Sequence, residues 1–185
     1  MTEIREINNR IRLIPLNKKH EKDLFQFELE NRSYFETMVP SRGDSYYLTS
    51  HFKDSLDGLL AEQMNKQGYY FVLVNKSDKI IGRLNLVKLE DQRLEVGYRI
   101  GENYIGKGFA KEALSQAIKL VKTNKWEQIL IAKTTSANIG SQRVLERNGF
   151  TFLGNDKELF EWKGQIQHFV YYQFDINVDG KSDRT

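Results

Sequence analysis

The sequence predicts an α/β domain: a twisted, mixed but mostly antiparallel sheet with one parallel strand pair and helices on both faces. Three observations carry this. Leu94, Val96, Tyr98 and Ile100 alternate with Glu95, Gly97, Arg99 and Gly101, the two-residue period of a β-strand. After a glycine-rich turn, Ala110, Ala113, Leu114, Ala117, Ile118 and Val121 fall on one helical face. The apolar run Ile129-Leu130-Ile131-Ala132, within residues 128–133, suits a strand buried on both faces. Strand, helix and strand in that order make a crossover, and the two strands run parallel.

The other elements follow in chain order. Ile11 and Leu13 alternate with Arg12 and Ile14 in a short first strand that ends at Pro15, where a lost N–H is tolerated. Residues 17–30 read as a helix through Leu24, Phe25, Phe27 and Leu29, with Asn17 as its cap. Pro40 and Gly43 mark residues 31–44 as loop, and a second helix is expected over 44–66. Strands at 69–74 and 80–89 are joined by Asn75-Lys76-Ser77-Asp78, and Glu90-Asp91-Gln92-Arg93 leads into the central strand. Beyond the parallel strand, Asn138 can cap a helix that Gly149 closes. The stretches 160–162 and 168–176, with Lys163-Gly164-Gln165 between them, read as a closing hairpin. One domain over residues 1–177 and a polar tail over 178–185 are expected, without repeats or linkers.

The chemistry concentrates in Gly101-Glu102-Asn103-Tyr104-Ile105-Gly106-Lys107-Gly108-Phe109-Ala110. A glycine-rich turn at a helix start leaves backbone N–H groups unpaired at a dipole-positive end, a ready site for phosphate. A tight turn with no ligand is the plainer alternative. A nucleoside-triphosphate loop is disfavoured, because Gly108 stands where Ser or Thr should hold Mg²⁺ and no aspartate follows Ile129-Leu130-Ile131-Ala132. The dinucleotide fingerprint fails at its third glycine position, which is Lys111. A pyrophosphate turn without metal remains.

This stretch resembles the core motif of the GNAT acetyltransferases, which hold the pyrophosphate of acetyl-CoA in such a turn. The segment from Asn138-Ile139-Gly140-Ser141 to Asn148-Gly149-Phe150 resembles the family's second motif, an Asn opening a helix that ends in Gly-Phe. Asn-x-x-Ser, Tyr98-Arg99-Ile100-Gly101 and Glu112-Ala113-Leu114 are most similar to the RimJ/RimL-type branch, which acetylates N-termini of ribosomal proteins. The matched motifs run over about residues 80–176. The resemblance implies a GNAT fold whose parallel strands splay apart, with the pantetheine arm of the cofactor in the gap. Gly97 and Gly101 suit such an approach. It also implies cofactor contacts at Ile100, Gly101, Ile105, Gly106, Lys107, Gly108, Phe109, Ala110, Asn138 and Ser141.

Composition narrows the alternatives. Without cysteine there is no thiolate nucleophile, no disulfide and no Cys-type zinc site. His20, His51 and His168 are scattered, and no metal site is expected. A net charge of +3 is too small for direct nucleic-acid binding. The first residues lack a signal peptide's apolar core, no apolar run reaches the ~20 residues of a membrane span, and a cytoplasmic location is the default. Oligomeric state is open, a homodimer included.

The resemblance implies direct attack of a primary amine on acetyl-CoA, with acetyl-CoA and the amine acceptor as partners. The expected acceptor is a protein N-terminus, as in ribosomal proteins; a small-molecule amine or antibiotic, or a non-catalytic acyl-CoA sensor, are the alternatives. Glu102, just past the central strand, and Glu95 within it are the candidate bases. Two positions depart from the family pattern. Ile105 stands where many members carry Gln or Arg, and Leu145 where the usual proton donor Tyr stands. Ser141 is the implied substitute donor to the leaving thiolate, and a first-turn serine bonding nearby backbone is its plain alternative. The aromatic residues Phe25, Phe27, Tyr34, Phe35, Tyr46, Tyr47 and Phe52 are expected mostly in the core, and in this family the same region walls the acceptor pocket. Residues 17–66 hold nine acidic and seven basic side chains, a balance that suits a cationic amine.

Overall fold

The computed structural model describes residues 10–177, so the tail expected over 178–185 lies outside the described residues. In order, the elements are β1 (Ile11–Pro15), α1 (Glu21–Glu30), α2 (Arg32–Met38), α3 (Thr49–Met64), β2 (Gly68–Asn75), β3 (Ile80–Lys88), β4 (Arg93–Ile100), α4 (Phe109–Asn124), β5 (Ile129–Thr135), α5 (Ile139–Glu146), β6 (Thr151–Asn155), β7 (Phe160–Trp162), β8 (Gln165–Gln167) and β9 (Phe169–Asp175). A 7-stranded sheet has the order β1-β2-β3-β4-β5-β9-β6. Its one parallel pair is β4 with β5; every other pairing is antiparallel.

Strand β2 shows how the alternating pattern builds two cores. Phe71 and Leu73 join a cluster with Ala113, Leu114, Ala117 and Val121 of α4. Tyr70, Val72 and Val74 point the other way, into a cluster with Leu24 and Phe27 of α1, Phe35 of α2 and Phe52 and Leu56 of α3. Successive side chains face opposite sides of a strand, so an unbroken apolar run feeds both layers. On β3 the ladder to β2 skips Ile81, pairing Gly82 with Leu73 and Ile80 with Val74. This bulge places Ile81 in the same core as Leu84 and Leu86, and it lies where β4 ends, with Gly101 N–H donating to the Ile81 carbonyl at 2.9 Å.

Two segments differ from the sequence expectation. Residues 32–38, expected as loop, form α2, because Phe35 buries against α1 and supplies the packing that Pro40 and Gly43 had masked. At the C-terminal end, the turn at Lys163 and Gly164 joins β7 to the short β8 as a separate two-stranded ribbon. Strand β9 instead enters the main sheet between β5 and a strand the sequence did not suggest, β6. Asn17 caps as expected: its side chain accepts from the Lys19 N–H at 3.1 Å, ahead of one 3-10 turn that runs into α1.

Gly82 sits under the bulge with no room for a side chain: an added Cβ would lie 2.5 Å from the Arg99 carbonyl oxygen and 2.7 Å from Leu73 Cδ1. Gly82→Ala is expected to lower stability by about 1–3 kcal/mol through overpacking, read as a fall in the urea midpoint. Gly97→Ala, where the new methyl meets nothing within 4 Å, serves as the control. Equal losses at both positions would show that the ladder at the bulge can give way.

Candidate active site

Strands β4 and β5 pair from Arg93–Ile129 to Val96–Ala132 and then part, although β4 continues to Ile100 and β5 to Thr135. A cleft of about 490 Å³ opens where they diverge. It is lined by the glycine turn and the start of α4 at one end, by α5 on one side, and by Tyr34, Phe35, Met38 and Val39 of α2 and its exit on the other. Of β4, Tyr98, Arg99 and Ile100 reach it.

The turn is built to present backbone. Gly106 and Gly108 adopt φ of 71° and 81°, a left-handed conformation that a side chain would strain. Gly108 is the N-cap of α4 and supplies no side-chain hydrogen bond, which leaves first-turn N–H groups without a side-chain cap. At Gly106 an added Cβ would meet nothing within 4 Å, an open space suited to a phosphate. Behind the turn, the Arg10 guanidinium donates to the Lys107 carbonyl at 2.8 Å and pairs with Glu112 at 3.0 Å, over the Phe109 ring. The Lys107 ammonium folds back onto the Asn103 carbonyl at 2.7 Å, and Lys107, expected as a cofactor contact, does not line the cleft. A Gly108→Val substitution would therefore strain the fold as well as any ligand contact.

On α5, the Asn138 side chain caps the helix by accepting from the Ser141 N–H at 3.1 Å. This fixes Ser141 with its hydroxyl 3.1 Å from the Tyr98 hydroxyl, across the gap between the strands. Burial pushes the Tyr98 phenol up to about 12, the Ser141 hydrogen bond opposing. The phenol is thus a proton-bearing neighbour for Ser141 throughout the neutral range. Leu145 is buried in the core under α5 and does not line the cleft.

Of the residues the sequence singled out, Ile100, Ile105, Gly106, Gly108, Phe109, Ala110, Asn138 and Ser141 line one cleft. Gly101 does not: it is buried against Asn31 and Phe27, where a Cβ would lie 3.0 Å from each. Glu102 is exposed beside the mouth, its N–H donating to Asn31 Oδ1 at 2.8 Å. Burial, and then the Glu102 charge, raises the pKa of the cleft-lining Tyr34. Glu95 is half-buried between Val87 and Ile131, deeper along the paired part of β4. Sequence reasoning passed over Tyr98 and Arg99 as site residues. Strand alternation was the available signal, since it sends one to each side of the sheet. Among the described residues, no three His, Asp or Glu side chains form a metal cluster, and no helix is long and apolar enough to cross a membrane.

Comparison with known proteins agrees with this geometry. The family model of the acetyltransferase (GNAT) domain matches residues 10–151. The chain is 31% identical over 160 residues to the ribosomal protein uS5-alanine N-acetyltransferase of Escherichia coli (strain K12), covering 82% of this chain and 81% of that protein. Among solved structures, the ribosomal-protein-S5-alanine acetyltransferase from Vibrio fischeri matches with a TM-score of 0.82 at 20% identity, over 91% of this chain and 94% of that one. RimL, the ribosomal L7/L12 alpha-N-protein acetyltransferase in complex with coenzyme A, matches with a TM-score of 0.83 at 18% identity, over 94% and 98%.

Asn138→Ala is expected to lower stability by about 1 kcal/mol through the lost cap and, by freeing the first turn of α5, to raise the Michaelis constant for acetyl-CoA. A lower melting temperature with unchanged cofactor kinetics would confine the residue to a structural role. The raised Tyr98 pKa also has a stability consequence. Unfolded tyrosine releases its proton near pH 10, whereas folded Tyr98 holds it to about 12. The folded state therefore binds more protons above pH 10, and this stabilisation is lost as pH rises from about 10 to 12. Thermal midpoints between pH 9 and 12 should fall more steeply for the parent than for Tyr98→Phe.

Proposed function

Because the chain belongs to the GNAT acetyltransferase family, we propose that it acetylates the α-amino group of a protein N-terminus, of the ribosomal-protein type. It is an acetyl-CoA-dependent N-acetyltransferase. The observation that carries the finer reading is the 31% identity, over most of both chains, to an enzyme named as a ribosomal protein uS5-alanine N-acetyltransferase.

Acetyl-CoA supplies an activated acetyl thioester, and transfer forms a C–N bond while the C–S bond breaks and a thiolate departs. The chain has residues for each requirement. The N–H groups at Gly106–Ala110 and the N-terminal end of α4 receive the pyrophosphate, with Lys111, Arg143 and Arg147 supplying positive charge at that end of the cleft. The β4 backbone left unpaired beyond Val96 receives the pantetheine arm. Ser141 donates a proton to the departing sulfur and regains one from Tyr98, whose phenol bears a proton throughout the neutral range and is reprotonated from solvent. Glu102, at the solvent-facing mouth, accepts the proton released by the amine, through water. An α-amine, with a pKa of about 7.7–8.0, needs little help to enter neutral, so a base outside the cleft suffices.

Ser141→Ala should lower kcat by roughly tenfold or more across the pH range, and Glu102→Gln should lower it most at acidic pH, where the amine is protonated. The measurement is thiol release with a free N-terminal peptide against its α-N-acetylated twin. Acetylation confined to lysine side chains or small amines would overturn the N-terminal reading. A Glu102→Gln profile parallel to the parent at every pH would move the base to Glu95.

A further inference from the structure

Arg83 on β3 and Arg99 on β4 are direct cross-strand partners on the face that carries α1 and α2. Like charges in facing positions repel, and the pair is tolerated because Glu28 of α1 lies between them. The Glu28 carboxylate is fully buried, 2.9 Å from Arg83 and 3.6 Å from Arg99, with Arg42 at 3.5 Å from the same side chain. One carboxylate thus faces three guanidinium groups. The nearby acids Glu36 and Asp44 are taken by Arg32.

The three arginines do not share Glu28 equally. Burial pulls the Arg83 pKa down, but Glu28 and the Tyr46 hydroxyl together outweigh it and raise it. For Arg99, burial and then the Arg42 charge lower the pKa, and Glu28 does not compensate. At 3.6 Å the Arg99–Glu28 contact is too long for a hydrogen bond, and among the described residues the Arg99 guanidinium donates none. It is held over the Phe35 ring at 5.0 Å and lines the cleft with a side chain 20% exposed. Half-buried guanidinium donors without partners are costly unless a ligand meets them.

We propose that Arg99 is an anion-binding, specificity-determining residue on the acceptor side, selecting amines that carry a carboxylate or similar anionic group close to the amine. For a protein N-terminus this means an acidic side chain within the first few residues. The proposal rests on the reading of the chain as an N-acetyltransferase of such termini. Arg99 does not serve the cofactor phosphates, because Lys111, Arg143 and Arg147 lie toward the turn, α4 and α5, on the other side of the sheet from Arg99 and α2. The acidic balance of residues 17–66, which suited a cationic amine, omits the two strand arginines that face this wall and set its charge.

The test compares peptides identical but for Asp, Asn or Lys at the second or third residue, together with β-alanine against its amide as small-amine probes. The parent protein should show kcat/KM at least tenfold higher for Asp than for Asn, lower still for Lys, with the ratio shrinking as salt is added. Arg99→Gln should bring the Asp/Asn ratio close to one with acetyl-CoA affinity unchanged by calorimetry, and Arg99→Lys should keep part of the preference. Should the Gln variant fail to fold, the parent's ratios and their salt dependence decide alone. Equal use of Asp and Asn peptides by the parent, or loss of acetyl-CoA affinity in Arg99→Gln, would overturn the proposal. If only small amines turn over, the N-terminal reading fails while the β-alanine comparison still decides the anion site. If nothing turns over, titrating the CoA-bound protein with the Asp and Asn peptides reads the preference directly, and equal binding rejects it.

Discussion

Parallel strands that diverge leave backbone donors and acceptors without ladder partners, and such groups must be satisfied by side chains, water or a ligand. In this fold the β4–β5 ladder ends at Val96 and Ala132, and the neighbouring structure is arranged around that stop. At the end of β5, the Gln142 side chain donates to the Thr135 and Ser136 carbonyls, while Gln167, buried on β8, accepts from Ser136 and the Ala137 N–H. On β4, the bulge at Ile81 holds the strand end through the Gly101 N–H, and Asn31 takes the N–H of Glu102. Both lips of the gap are tied to the protein and the middle is left open, bridged only by Tyr98 and Ser141 among the described residues.

Pleating then assigns chemistry to each side. Residues 98 and 99 are consecutive and must face opposite ways. Tyr98 reaches α5, where it meets the hydroxyl that Asn138 has positioned, and Arg99 turns toward α2, where it lies on Phe35. One strand segment thereby turns a hydroxyl toward Ser141 of α5 and a cation toward α2. The buried Glu28 connects α1 to β3, β4 and the loop that carries Arg42, and so holds α1 and that loop against the sheet.

What the sequence revealed divides by range. Periodicity and turn chemistry are local, so every strand from β1 to β5, the glycine turn, the Asn17 and Asn138 caps and the crossover helix were legible. Helix α2 was not, because its seven residues are stabilised by the burial of Phe35 against another element, which no local pattern encodes. Strand β6 escaped for a related reason: it is an edge strand with exposed Phe152 and Leu153 and no alternating pattern. The site was readable where it depends on backbone, as at Gly106 and Gly108. The Glu28–Arg83 and Tyr98–Ser141 contacts join residues 55 and 43 positions apart, and only the fold brings them together.

The positive charge at Arg99, only partly offset by Glu28 at 3.6 Å, bears on the amine itself as well as on its neighbour group. A cation within a few ångströms disfavours a second cation, so an ammonium entering the cleft is pushed toward its neutral form. For an α-amine the shift required at neutral pH is under about one unit, whereas a lysine side chain starts near 10.4 and needs roughly three. Where no acidic neighbour offsets it, the guanidinium proposed to recognise one disfavours ε-amines and polyamines more than α-amines. Nucleophile activation becomes partly a matter of local potential. That reconciles a cleft lined by no carboxylate with a reaction that must shed a proton, for which Glu102 beside the mouth is the proposed acceptor.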